Sequence, residues 1–251
     1  MLEPHTFKNY YFCYSVGKDP AYDQEDSDYA IEQLKKAATT FGIKVCEPFW
    51  AEVDHGRDSK DWEGALEKRL KAGKEEKLEI IIFFLKPSEE RLYADLKRYV
   101  SRNFNCPSQM IRRKSLSTQT KGVLSFASKI VLQMNSKIGH PLWSVPNYHP
   151  FWKTAKVAIA GIASSKGKQG TVISFVGTTN GDLTHIIAEC KEVRSRDGLS
   201  SALFQGMFTS WIQNYFIKNQ KVLPSTLIIY REGLNDVQAK HQFEVEVQGL
   251  L

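Results

Sequence analysis

Strand-like and helix-like segments alternate through the first half of this 251-residue sequence. Short apolar runs that predict strands lie at residues 8–16, 43–53, 78–86 and 108–113, and Pro48 interrupts the second run. Amphipathic segments that predict helices follow them at residues 25–40, 58–73, 88–104 and 119–138. Repeated strand–helix units of this kind predict an α/β fold, with a parallel sheet that is covered by helices on both faces.

A second pattern follows a linker-like segment, residues 140–152, which holds three prolines and no clear period. Three strand candidates, an amphipathic helix and a fourth strand come next, at residues 156–163, 170–178, 183–193, 199–215 and 226–230. The helix is predicted from apolar residues on one face, namely Leu199, Leu203, Met207, Trp211 and Tyr215. We therefore predict one domain over residues 1–145 and a second over residues 153–251. This order of elements is the opening order of a ribonuclease-H-like sheet, and many other mixed α/β domains begin in the same way.

Positive charge is concentrated in residues 91–140, where ten Lys and Arg accompany a single acidic residue, Asp95. Residues 1–90 have a net charge of −6, although the whole chain has a net charge of +6. A focused positive field is typical of surfaces that bind phosphate, and an interleaved tyrosine such as Tyr93 suits stacking on a base. A solvated basic face without a ligand is the alternative interpretation.

Several classes of protein do not fit the sequence. The first residues, MLEPHTFKNYY, lack the basic and apolar regions of a secretory signal, and the apolar run at Ile80–Leu85 is too short to span a bilayer. No G-x-G-x-x-G sequence or P-loop follows a predicted strand, which argues against a common nucleotide-binding domain. We expect an intracellular protein, cytoplasmic or nuclear or both, with no membrane partner.

Four separated motifs occur in order: YADLK from Tyr93, PSQM from Pro107, LQMNSKIG from Leu132 and LIIYREG from Leu227. Together they resemble the MID domain and the first part of the PIWI domain of the Argonaute and Piwi family, nearer the Piwi branch. The resemblance implies a Rossmann-like MID domain followed by the first part of a ribonuclease-H-like PIWI domain. It also implies RNA-mediated gene silencing, with a single-stranded small guide RNA, a complementary target RNA and silencing-complex proteins as partners.

The resemblance assigns roles to five residues of the basic stretch. Tyr93 would stack on the first base of the guide, while Lys97, Gln109 and Lys137 would bind its 5′ phosphate. Tyr93 and Lys97 are four positions apart on a predicted helix, so they share a face. Gln133 stands where the Argonaute branch usually has a lysine, and the resemblance implies a Mg²⁺ ion there, between the phosphate and the Gln133 oxygen. Without the companion motifs, a packed tyrosine and a solvated lysine would be the simpler interpretation.

The resemblance also bears on RNA cleavage. PIWI domains that cut RNA hold two metal ions with carboxylates. The corresponding positions fall on Ala163, Gly198 and Glu232, of which Glu232 alone has a carboxylate. We therefore expect a guide-binding protein that does not cleave RNA. The alternative is a metal-dependent endoribonuclease with a rearranged active site that uses Glu232.

Overall fold

The structure is a computed structural model that describes residues 3–72, 77–145, 156–166, 170–193, 201–232, 239–240 and 244. The contacts divide the chain into two compact units, Met1–Leu142 and Trp143–Leu251. No helix among the described residues is both long enough and apolar enough to cross a membrane.

The first unit contains a four-stranded sheet in which every neighbouring pair is parallel. Its strands are β2 (Tyr10–Val16), β4 (Phe49–Asp54), β5 (Ile80–Leu85) and β6 (Ser108–Arg112), in the order β4-β2-β5-β6. A separate small pair joins β1 (Thr6–Phe7) to β3 (Lys44–Val45). The second predicted strand is therefore two strands, β3 and β4, divided around Pro48.

Helices cover both faces of this sheet, as the sequence predicts. They are α1 (Pro20–Thr39), α2 (Ser59–Ala72), α3 (Tyr93–Asn103) and α4 (Val123–Lys137). Side chains alternate across a strand, so Tyr10, Phe12 and Tyr14 of β2 pack with α1 and α4. Tyr11 and Cys13 point the other way and pack with α2 and α3. Two apolar cores, one on each face, result.

Three helix boundaries differ from the sequence prediction. Helix α1 begins at Pro20 rather than at residue 25, because the Asp19 carboxylate accepts a hydrogen bond from the backbone N of Tyr22 at 3.2 Å and caps the helix. The predicted helix over residues 88–104 is a 3₁₀ helix, Pro87–Leu92, followed by α3. Helix α4 begins at Val123 rather than at residue 119, because Gly122 has a left-handed conformation with φ of 72°.

The second unit has a mixed sheet and one described helix of substantial length. Its elements are β7 (Val157–Lys166), β8 (Thr171–Thr178), β9 (Ile186–Val193), α5 (Ser201–Lys218) and β10 (Thr226–Arg231). The strand order is β10-β7-β8-β9, with β10 parallel to β7 and the other pairs antiparallel. Helix α5 packs Phe204, Met207, Trp211 and Tyr215 against one sheet face. The predicted face is thus largely confirmed, although Leu199 lies outside the described residues.

Candidate nucleic-acid interface

Helix α3 carries two of the predicted residues. Its buried residues Leu96 and Val100 pack towards the sheet, so Tyr93 and Lys97, also four positions apart, lie together on a different face of the helix. Tyr93 leaves 53% of its surface exposed. The Nζ atom of Lys97 lies 5.9 Å from the centre of the Tyr93 ring. An exposed ring beside an ammonium group suits a base that is attached to a phosphate.

Gln109 and Lys137 approach from two other elements. Gln109 is the second residue of the edge strand β6, and its side chain is nearly buried. Helix α4 ends at Lys137, and Gly139 follows with φ of 92°, a left-handed conformation that commonly terminates helices. The end of α4 therefore brings Lys137 to the beginning of β6.

The two lysine side chains converge on one backbone oxygen. Lys97 Nζ donates to the carbonyl oxygen of Ser108 at 2.6 Å, and Lys137 Nζ donates to the same oxygen at 3.0 Å. Lys137 also donates to Gln109 Oε1 at 2.6 Å, while Gln109 Nε2 donates to Gln133 Oε1 at 3.3 Å. Four of the five predicted residues therefore belong to one hydrogen-bonded group, which we call the lysine pocket: Lys97, Ser108, Gln109, Gln133 and Lys137.

The lysine pocket concentrates positive charge. Burial lowers the pKa of Lys97, and burial together with the nearby Lys97 charge lowers the pKa of Lys137 to about 8. Within the part of the chain that the structure describes, both amines donate to neutral oxygens and neither forms an ion pair with a carboxylate. A phosphate group, which has several acceptor oxygens and negative charge, would suit both amines.

Two features of this region were not indicated by the sequence pattern. Ser108 contributes its backbone carbonyl, and a backbone atom leaves no signal in the residue types. Arg113 belongs to the basic stretch, but its guanidinium donates to the buried carboxylates of Asp23 and Asp26. The acidic partners precede Arg113 by about ninety positions in the chain. The composition of the basic stretch therefore does not show that the charge of Arg113 is already paired.

The structure describes two of the three positions that were predicted for the nuclease site, Ala163 and Glu232. Ala163 lies inside β7, which continues to Lys166, so it does not close the strand as predicted. The longer strand follows from its antiparallel pairing with β8, which extends to Lys166 and Thr171. The backbone N of Glu232 donates to the Ile162 carbonyl oxygen at 3.0 Å, which puts Glu232 beside Ala163. Gly198 lies outside the described residues.

Comparisons with known proteins agree with this architecture. A sequence model of the Piwi domain matches residues 80–251. Protein argonaute-3 of Drosophila melanogaster is 26% identical over 208 residues, which cover 83% of this chain and 23% of that protein. Piwi-like protein 1 of Gallus gallus is 28% identical over 226 residues, which cover 88% of this chain and 24% of the relative. The chain thus spans about a quarter of the length of these relatives.

Solved structures show the same fold at low sequence identity. The MID-PIWI domains of Argonaute QDE-2 from N. crassa superpose with a TM-score of 0.75 and 14% identity, over 99% of this chain and 68% of the other. Kluyveromyces polysporus Argonaute with a guide RNA gives a TM-score of 0.73 and 13% identity, over 99% and 29% respectively. These likenesses confirm the predicted fold class, a Rossmann-like MID fold followed by a ribonuclease-H-like PIWI fold. Because the Piwi domain model matches well over half of its residues, the chain belongs to the Argonaute and Piwi family.

Proposed function

We propose that the lysine pocket binds the 5′ phosphate of a small single-stranded guide RNA, and that this binding serves RNA-mediated silencing. The observation that supports the proposal most is the convergence of Lys97 and Lys137 on one carbonyl oxygen without a described carboxylate partner. Placing two ammonium groups together is unfavourable unless an anion joins them. The similarity to an Argonaute solved with a guide RNA supports the choice of anion.

Each side chain of the site has a separate role in this proposal. The two lysines act as point charges towards the phosphate, and Gln109 Nε2 can turn from Gln133 to donate to a phosphate oxygen. Tyr93, which is exposed beside Lys97, stacks on the first base. Stacking of this kind contributes about 1–3 kcal/mol and tolerates any base. The rest of the guide remains available to pair with a complementary target RNA, and silencing-complex proteins would bind the loaded chain.

Gln133 fits a Mg²⁺ ion that is shared with the phosphate. Its carboxamide oxygen has two lone pairs, and Gln109 uses one of them. Mg²⁺ commonly keeps several waters and binds to few protein oxygens together with substrate phosphates, so the phosphate would supply the negative charge and Gln133 would add one neutral oxygen ligand. When bound, the ion would supply the positive charge that a lysine at this position would otherwise provide.

The proposal includes loss of target cleavage. A methyl group at Ala163 cannot bind a metal ion, and its position is next to Glu232. We propose that the protein acts by binding guide and target RNA and by recruiting partners.

A binding titration tests the phosphate assignment. Two RNAs of the same sequence, one with a 5′ phosphate and one with a 5′ hydroxyl, are compared by fluorescence anisotropy in Mg²⁺. We expect the phosphorylated RNA to bind roughly ten- to a hundredfold more tightly, the range for hydrogen bonds to charged groups worth about 1.5–3 kcal/mol. Lys97→Ala should remove most of this difference, whereas Lys68→Ala, which changes an exposed lysine of α2, should retain it.

The same titration in EDTA tests the metal assignment. Removal of Mg²⁺ should weaken binding of the phosphorylated RNA by wild type, while Gln133→Lys should bind it equally well with and without Mg²⁺. Equal affinity for both RNAs, unchanged by Lys97→Ala, would show that the phosphate assignment is wrong. A Mg²⁺ dependence that persists in Gln133→Lys would contradict the metal assignment alone.

A further inference from the structure

A surface cleft of about 480 Å³ adjoins the lysine pocket, and Lys137 lines both. The cleft lies at the amino edge of the parallel sheet, where the segments before β2, β5 and β6 come together. Asn9 precedes β2, Lys77 precedes β5, and Asn105 lies between α3 and β6. The lysine pocket occupies the beginning of β6, and the cleft adjoins it through Lys137 and through Pro107, the residue before Ser108.

The groups that line the cleft suit an anion. Lys77 is exposed and provides an ammonium group, while Asn9 and Asn105 provide carboxamides that can donate hydrogen bonds. Among the described lining residues there is one carboxylate, that of Glu79, and both of its oxygens are engaged. Glu79 Oε2 accepts from the backbone N of Lys8 at 2.7 Å and of Asn9 at 2.8 Å.

The other oxygen of Glu79 contacts an imidazole. Glu79 Oε1 lies 2.6 Å from His5 Nε2. Both oxygens of the carboxylate are therefore engaged by local partners, and the two positive charges of Lys77 and Lys137 exceed its single negative charge. Carboxamide and ammonium donors around a volume of this size match a ligand of several phosphate oxygens, because small-ligand sites commonly have volumes of about 300–1,000 Å³.

We infer that this cleft holds the β- and γ-phosphates of a guide RNA that carries a 5′ triphosphate. The inference rests on the proposed function, since it takes the α-phosphate to be bound by Lys97 and Lys137. Further phosphates must then enter a volume that adjoins these amines, and the cleft beside Lys137 provides one. Lys77 contacts the outer phosphates, with Asn9 and Asn105 as additional donors. The substrate class thus extends to guides whose first nucleotide retains its triphosphate.

Three RNAs of one sequence test this inference, with a 5′ hydroxyl, a 5′ monophosphate or a 5′ triphosphate, at one fixed Mg²⁺ concentration. The measured quantity is the ratio of the monophosphate Kd to the triphosphate Kd. For wild type we expect a ratio of about five, as for one additional ion pair with an exposed lysine. Lys77→Ala should bring the ratio close to one. Lys68→Ala removes an exposed lysine from α2, away from the cleft, and should leave the ratio near five.

The outcomes separate this inference from the proposed function. A triphosphate RNA that binds no more tightly than the monophosphate overturns the inference, and so does a gain that survives Lys77→Ala. In both cases the preference of the monophosphate over the hydroxyl remains to support the lysine pocket. Equal binding of the hydroxyl and the monophosphate overturns the proposed function and, with it, the inference.

Discussion

Lys137 is held in a position where its charge is easily lost. It shares the Ser108 carbonyl oxygen with Lys97, and partial burial removes much of the water that would otherwise screen the two charges. Its pKa is consequently lowered from 10.5 to about 8. A bound phosphate would favour the charged amine again, because the opposite charge stabilises it. Protonation of Lys137 and phosphate binding are therefore coupled.

This coupling predicts a loss of affinity in mild alkali. Below about pH 7 Lys137 is charged before the ligand arrives, whereas above a pH of about 8 binding must first take up a proton. The affinity for 5′-phosphorylated RNA should fall up to about tenfold for each further pH unit until the Lys137 amine is neutral in the complex as well. Titrations of the RNA at a series of pH values between about 7 and 10 measure this dependence.

The control for this prediction is Lys137→Arg, because a guanidinium stays charged throughout the range and should give a much flatter profile. The pH dependence of the free energy of unfolding has the opposite sign to that of RNA affinity. Between about pH 8 and 10.5 the unfolded chain binds more protons at Lys137 than the folded chain does, so this residue increases the stability of the free protein as the pH rises. An affinity that stays constant across this range in wild type would contradict a role for Lys137 in phosphate binding.

Residue spacing predicted part of the site. The interval of four between Tyr93 and Lys97 placed them on one helix face, and the structure has the Lys97 amine beside the Tyr93 ring. Spacing could not bring Lys137 to Ser108, because that contact depends on where α4 ends relative to β6. It was the family resemblance that grouped these residues. The detailed hydrogen bonds, with Ser108 as the shared acceptor, required the structure.

At the scale of elements, apolar patterning predicted strands and helices in the correct order but misplaced several ends. The beginning of α1 was missed because Asp19 and Pro20 form a polar capping segment that lies before the apolar pattern. The segment before α4 was predicted as helix, yet Thr120 Oγ1 donates to the Lys114 carbonyl oxygen at 2.6 Å and stabilises a turn there. The capping hydrogen bond of Asp19 sets the beginning of α1, whereas a turn that ends at the left-handed Gly122 sets the beginning of α4, and apolar periodicity registers neither feature.

Gly177 of β8 is predicted to be essential for packing helix α5. The indole of Trp211, fully buried, lies directly over this glycine, and its Nε1 atom donates to the Thr178 carbonyl oxygen at 2.8 Å. A Cβ atom at Gly177 would overlap the indole ring. Gly177→Ala should therefore lower the free energy of unfolding of the second unit by about 1–3 kcal/mol, the usual cost of overpacking a core. Urea denaturation measures the change in the free energy of unfolding, and hydrogen exchange of the backbone amides in β8 and α5 shows whether the change is located there.

Gly206 of α5 provides a matched comparison, because a Cβ atom there would meet no atom of the described structure within 4 Å. Gly206→Ala should stabilise the helix by up to about 1 kcal/mol, since alanine is the better helix former. A Gly177→Ala protein as stable as wild type would show that the close contact with Trp211 is not maintained in solution.

At the scale of the whole molecule, the basic residues of the 91–140 stretch differ in whether a carboxylate pairs with them in the described part of the chain. Arg113 stabilises the first unit through Asp23 and Asp26, and Arg112 and Lys114 lie near the Glu90 carboxylate. Lys97 and Lys137 have no such partners among the described residues, although they belong to the same basic stretch. The net charge of residues 91–140 therefore predicted a phosphate-binding surface. Which lysines and arginines are available to bind phosphate depends on where the carboxylates of the folded chain lie.

The last prediction concerns what the loaded protein does to its target. Cleavage by two metal ions requires several carboxylates around the scissile phosphate, and the position beside Glu232 is occupied by Ala163. A protein loaded with a 5′-phosphorylated guide should retain a complementary end-labelled RNA without cutting it in Mg²⁺ or Mn²⁺. Ala163→Asp should also leave the target intact, because two adjacent carboxylates form an incomplete site for two ions. Lys97→Ala serves as the control for target retention, which should then be lost with the guide. Reproducible scission by wild type that Glu232→Ala abolishes would instead establish a rearranged nuclease.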